Sequence, residues 1–134
     1  MPKIFGLNLV GVLVASVVFF MVGWIWYGPL FGEAWMAAEG MTEMGAPEPV
    51  WLLGGLIITI AQVIGIGLVM RWRNVADMTA AVKTALVLWL VFALPFAHYA
   101  YIYTPEHNAT MLMIDAGHLL VGWVVSAVVL ALIK

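Results

Sequence analysis

The chain contains no cysteine, which removes disulfides, thiolate metal sites and cysteine nucleophiles together and leaves the redox compartment open. It is also poor in charge: charged residues make up only 9% of 134 residues, against 66% hydrophobic, a balance outside the range of soluble domains. No basic patch points to nucleic acid, and a net charge of -2 matters here only through its distribution between loops. No soluble catalytic domain and no cofactor motif is evident, so neither enzymatic activity nor a cofactor is expected. What remains is an integral membrane protein whose principal partner is the lipid bilayer.

Four apolar runs are each long enough to cross a hydrocarbon core of about 30 Å, at residues 4–27, 50–70, 79–103 and 109–133. The first starts at Ile4 and is too long for the apolar region of a secretory signal, so it reads as a retained helix; Gly28-Pro29 ends or kinks it. The following segment holds Glu33, Glu39, Glu43 and Glu48 with Phe31, Trp35 and Met36, and is compatible with a short interfacial helix from about Phe31 to Ala38. Span two places Gly55, Thr59, Gln62 and Gly65 on one side. Span three carries Pro95 and is joined to span four by the short stretch Thr104 to Asn108, which predicts a tight antiparallel hairpin. The expected fold is all-α, a four-transmembrane-helix bundle forming one domain over residues 1–134. A bundle this small is expected to self-associate as a homo-oligomer.

Every Lys and Arg (Lys3, Arg71, Arg73, Lys83, Lys134) falls to one side of the predicted bundle, and none lies in the first or third loop. The positive-inside rule then puts both termini in the cytoplasm, N-in/C-in, with the glutamate loop and Pro105-Glu106-His107 outside. Trp24, Trp26, Tyr27, Trp35, Trp51, Tyr99, Tyr101 and Tyr103 collect near the outer interface as an aromatic belt. The segment carrying Trp24, Trp26, Tyr27 and Trp35 also admits a substrate or lipid-headgroup site, but an aromatic anchor is the favoured reading.

Span four carries Asp115 and His118, three residues apart and therefore on nearly the same helix face, which Gly122 and Ser126 continue. At 1.5 Å per residue Asp115 lies roughly 10 Å and His118 roughly 15 Å in from Asn108, and His98 lies about 8 Å in from Tyr103. An intramembrane cluster of Asp115, His118 and His98, extended by Gln62, is expected on this count. Three chemistries suit it. A carboxylate beside imidazoles can relay protons or ions. Two His and one carboxylate (His98, Asp115, His118) can ligate a metal, although no spacing motif supports this. The same groups can also fasten the bundle through hydrogen bonds. The small residues Gly55 and Gly65, Ala93 and Ala97, and Gly122 and Ser126 suggest close helix approach.

The run Gly23-Trp24-Ile25-Trp26-Tyr27-Gly28-Pro29-Leu30-Phe31-Gly32-Glu33-Ala34-Trp35-Met36 resembles the signature of the DUF1761 family of small bacterial four-helix membrane proteins, and the Asp115 to His118 portion is similar to a polar patch in that family. The resemblance implies a multi-pass fold in a bacterial inner membrane and no particular activity. The expected function is permeation of a small solute, ion or proton through the Asp/His cluster. The alternatives are a structural or partner-binding membrane subunit and, third, a metal-dependent membrane enzyme.

Overall fold

The structure, a computed structural model, describes residues 2–42, 45 and 48–134. Glu43 of the acidic segment lies outside the described residues. Four helical spans, Leu9–Leu30, Pro49–Trp72, Met78–Tyr103 and Ala109–Leu132, are long and apolar enough to cross a membrane. The elements are β1 (Lys3–Ile4), β2 (Leu7–Asn8), α1 (Leu9–Ile25), α2 (Gly32–Glu39), α3 (Pro49–Trp72), α4 (Met78–Leu88), α5 (Leu94–Tyr103) and α6 (Ala109–Leu132).

Span one does not begin at Ile4. Residues Lys3 to Asn8 form a two-stranded antiparallel hairpin, with Phe5 and Gly6 at its turn in the left-handed region (φ 51° and 80°). The Asn8 carboxamide oxygen accepts from Val10 N and Gly11 N, capping α1 at Leu9 and ending the extended stretch there. A side chain at Gly6 would run into the Arg71 guanidinium, which donates to Phe5 O at 3.3 Å, so the hairpin is held against the end of α3. Hydropathy alone reads this stretch as helix because the turn is specified by two backbone angles and a contact 66 residues away.

Two of the spans widen into a single π-helical turn, Trp26–Leu30 after α1 and Trp89–Ala93 between α4 and α5. Each sits beside a proline. Pro29 lies within the first, and Pro95 follows the second by two residues. A proline ring clashes with the carbonyl four residues back and supplies no N–H, so a locally wider turn relieves the strain while the helix continues. Past Phe31 the chain enters α2, a helix of eight residues ended by Gly40 at φ 76°.

Helix α6 is the hub. It packs against α1, α2, α3, α4 and α5. Its buried face is built mostly of small residues: Ala127 and Ser126 are fully buried, Ala127 packs with Ala81 and Ala85 of α4, and Gly122 receives the Phe19 ring of α1. Close approach recovers dispersion contacts that lipid cannot supply as well. The buried hydroxyls of Ser16, Thr59, Thr84 and Ser126 each donate to the carbonyl four residues back, at 2.6 to 2.8 Å, so none is left unpaired. Gly65 faces open space, and the close glycine of α3 is Gly67, against Leu7 and Leu130. Much of the outward surface is apolar, with Leu53, Ile58, Phe92 and Phe96 more than half exposed, as a lipid-facing surface requires.

Gly122→Ala should lower thermal stability in detergent, because the added methyl overlaps Phe19 and overpacking typically costs about 1 to 3 kcal/mol. Gly65→Ala, where nothing lies within 4 Å, should be neutral or stabilising by up to about 1 kcal/mol. Equal losses in the two variants would show that Phe19 is not seated on Gly122.

Candidate intramembrane site

Three consecutive residues of α6 accept hydrogen bonds from aromatic donors on other spans. Trp26 Nε1 donates to Ile114 O at 2.9 Å, Tyr27 Oη to Asp115 Oδ1 at 2.5 Å, and Trp89 Nε1 to Ala116 O at 2.8 Å. Trp26 and Trp89 open the two π-turns, and Tyr27 follows Trp26. The widened turns therefore carry the side chains that tie spans one and three to α6. Gly117 permits this: a Cβ there would stand 3.0 Å from Trp26 Cζ2.

Tyr27 is the centre of the arrangement. Its ring lies edge-on to His118 (centroids 5.1 Å apart) and to Trp35 of α2 (5.6 Å). His118 also faces Phe19 at 5.5 Å, and its Nε2 comes close enough to Gly23 that a Cβ there would be 3.0 Å away. Asp115, His118 and Tyr27 are each half-buried. One carboxylate oxygen, Oδ1, is engaged by the tyrosine.

Asp115 also lines a cleft of about 290 Å³ between α2, α5, α6 and the loop joining the last two. Glu39 and Glu106 line the same cleft with Tyr101, so among the described residues three carboxylates share it and no Lys or Arg does. Asn108 fixes its rim: the carboxamide oxygen caps α6 by accepting from Met111 N at 3.0 Å, and Nδ2 donates to Ala38 O at 3.0 Å, tying the end of α2 to the start of α6. Phe19, Val12 and Val63 are nearly inaccessible and pack together with Ala15 as a buried apolar cluster between α1 and α3.

The expected cluster is thus only partly assembled. Asp115 and His118 meet around Tyr27, which hydropathy places in the aromatic belt. His98 does not join them: its Nδ1 lies 2.7 Å from Leu94 O of its own helix, and its ring neighbours Tyr101. Its Nδ1 is paired with the carbonyl four residues back, near the wide turn. Gln62 is elsewhere too, accepting from Trp123 Nε1 at 2.8 Å and donating to Ile58 O, as a separate link between α3 and α6. Among the described residues no three His, Cys, Asp or Glu side chains converge as a metal-holding group, so the set His98, Asp115, His118 is not brought together. The aromatic segment divides. Trp24 points outward at 70% exposed, while Trp26, Tyr27 and Trp35 turn inward. Trp89 does not figure in the sequence reading, and Tyr27, Glu39 and Glu106 figure there only as parts of the aromatic belt and the outer loops. The one available signal is that the Trp26-Tyr27 and Asp115 to His118 stretches both carry the family resemblance.

A double-mutant cycle tests the central bond. Tyr27→Phe and Asp115→Ala should show a coupling of roughly 0.6 to 1.7 kcal/mol in unfolding free energy, the range for side-chain hydrogen bonds between membrane helices. His98→Ala and Asp115→Ala should be additive. Additivity in the first pair, or coupling in the second, would contradict this geometry.

No curated protein and no solved structure matches the chain. A family model, described as a protein of unknown function (DUF1761), matches residues 10–131, which include both wide turns and the whole of the Tyr27, Asp115 and His118 arrangement. With nearly its full length covered by that match, the chain belongs to the DUF1761 family.

Proposed function

We propose that this protein binds a small cation or a proton at Asp115 and serves its permeation across the membrane, without enzymatic activity. The observation that carries this reading is the placement of a membrane-span carboxylate on an acidic cleft beside Glu39 and Glu106. Carboxylates along a low-dielectric cleft concentrate cations, and an ionisable group in a span is costly to keep without a use. Tyr27 Oη steadies one oxygen of Asp115, and His118 borders the same ring. A proton acceptor and a proton carrier thus lie side by side. The Phe19 ring packs on Gly122 and against His118, so movement of a cation or proton beyond His118 under this reading requires that packing to loosen.

The second reading, a structural or partner-binding subunit, is favoured by the same Tyr27 bond, which fastens α1 to α6. The two diverge at Asp115→Asn, which keeps an acceptor for Tyr27 but cannot ionise. Under the permeation reading the variant folds normally and proton or cation flux in proteoliposomes falls to background. Unchanged flux in a well-folded Asp115→Asn protein would leave the structural reading in place.

The proposed setting is a bacterial inner membrane, with the chain self-associated and both termini cytoplasmic. The fold brings the chain ends together: Lys134 Nζ donates to Ala76 O, and Arg71 donates to Phe5 O, so Lys3, Arg71 and Lys134 share one end while Glu39 and Glu106 share a cleft away from it. A reporter fused after Lys134 should read cytoplasmic, and a periplasmic signal would overturn the orientation.

A further inference from the structure

A second cleft, of about 590 Å³, lies at the end of the bundle where the hairpin, the α3–α4 link and the end of α6 meet. Among the described residues its charged side chains are Lys3, Arg71 and Lys134, and no Asp or Glu side chain lines it. Two carboxamides, Asn8 and Asn74, add to it. The groups are arranged with donors to spare. Arg71 spends one N–H on Phe5 O at 3.3 Å, leaving the rest of its planar fork. Lys134 gives one of its three protons to Ala76 O. Asn8 commits its oxygen to capping α1, so its amide N–H groups remain available.

Three cations around one concavity repel one another and gain when an anion enters. A guanidinium fork beside ammonium groups and amide donors matches the several oxygens of a phosphate better than the two of a carboxylate. We propose that this cleft is a phosphate-binding site, taking either the headgroup of an anionic phospholipid in the adjoining leaflet or a free phosphate anion. The surroundings suit the lipid source. Phe5 at the hairpin tip is 67% exposed and Trp72, next to Arg71, is 71% exposed, as expected of side chains that sit at an interface and border acyl chains. Basic recesses between spans are suited to anionic headgroups, since each nearby cation strengthens the attraction. This site lies apart from the acidic cleft and does not depend on the permeation reading.

The full chain, purified in detergent, is titrated with short-chain phosphatidylglycerol, with zwitterionic phosphatidylcholine and with inorganic phosphate, following bound adducts by native mass spectrometry and unfolding temperature in parallel. Phosphatidylglycerol should bind saturably and in preference to phosphatidylcholine, with affinity falling about fivefold for each cation removed. Arg71→Gln tests the fork. Lys3→Gln removes a charge from an exposed side chain and leaves the backbone pairing of the hairpin intact. Stabilisation by inorganic phosphate, with displacement of the lipid, would assign the site to a soluble anion. Phosphatidylglycerol binding with no effect of phosphate would assign it to the headgroup. Asp115→Asn should leave either result unchanged. Equal binding of the two lipids with no effect of phosphate, or undiminished binding in both Lys3→Gln and Arg71→Gln, would overturn the proposal.

Discussion

A polar hydrogen carried into hydrocarbon has to find its acceptor inside the protein, and the middle of this bundle is built around that requirement. Two indoles and a phenol would each be costly without a partner, and all three find one on Ile114, Asp115 and Ala116 of α6. Two of the acceptors are backbone carbonyls, which have a second lone pair beyond the one used by the helix. The third is the Asp115 carboxylate. Because these donors come from spans one and three, the same bonds set how both pack against span four. Trp123 and Gln62 repeat the device between α6 and α3.

The prolines and the tryptophans are two parts of one solution. A proline in a span forces the helix to widen or bend, and the two wide turns each begin with the tryptophan that reaches α6. Glycine completes the fit at Gly117, Gly23 and Gly122, where an aromatic or imidazole ring takes the place a side chain would have filled. Large rings set into gaps beside α6 are thus what gives a bundle of otherwise featureless aliphatic spans a specific arrangement.

Charge is segregated along the bundle. Glu39, Glu106 and Asp115 share the cleft reached from the α5–α6 loop, and Lys3, Arg71 and Lys134 gather around the hairpin and the end of α6, where Asp77 caps α4 nearby. The arrangement follows from chain direction. An even number of spans returns the termini to one end, and Lys3 and Lys134 thereby join Arg71, which is far from both in sequence. The charges of these two clefts are cheap where they stand because they lie in a concavity rather than against lipid.

The four spans, the pairing of the last two and the presence of a helix after Pro29 follow from the sequence because hydropathy, span length and helix-breaking residues are local properties, and a hydrocarbon solvent permits few other structures. The presence of Asp115 and His118 on one face of span four is legible for the same reason, as ionisable residues in an apolar run announce themselves. Which groups meet them was not legible. Angular counting on one helix gives the direction of a side chain from its own axis, but not how neighbouring helices are rotated, and each π-turn alters that rotation partway along a span. Hence His98 turned to its own backbone, Gln62 paired with Trp123, and Tyr27, assigned by composition to the interface, became the partner of Asp115. The hairpin at Lys3 to Asn8 was hidden likewise, since its stretch is apolar and what bends it is a glycine at positive φ beneath an arginine from another span. The sequence by itself determined how many times the chain can cross and where its costly groups lie; the packing of helices with no hydrophobic force between them, decided by ring-shaped gaps and a few long-range hydrogen bonds, belongs to the tertiary structure alone.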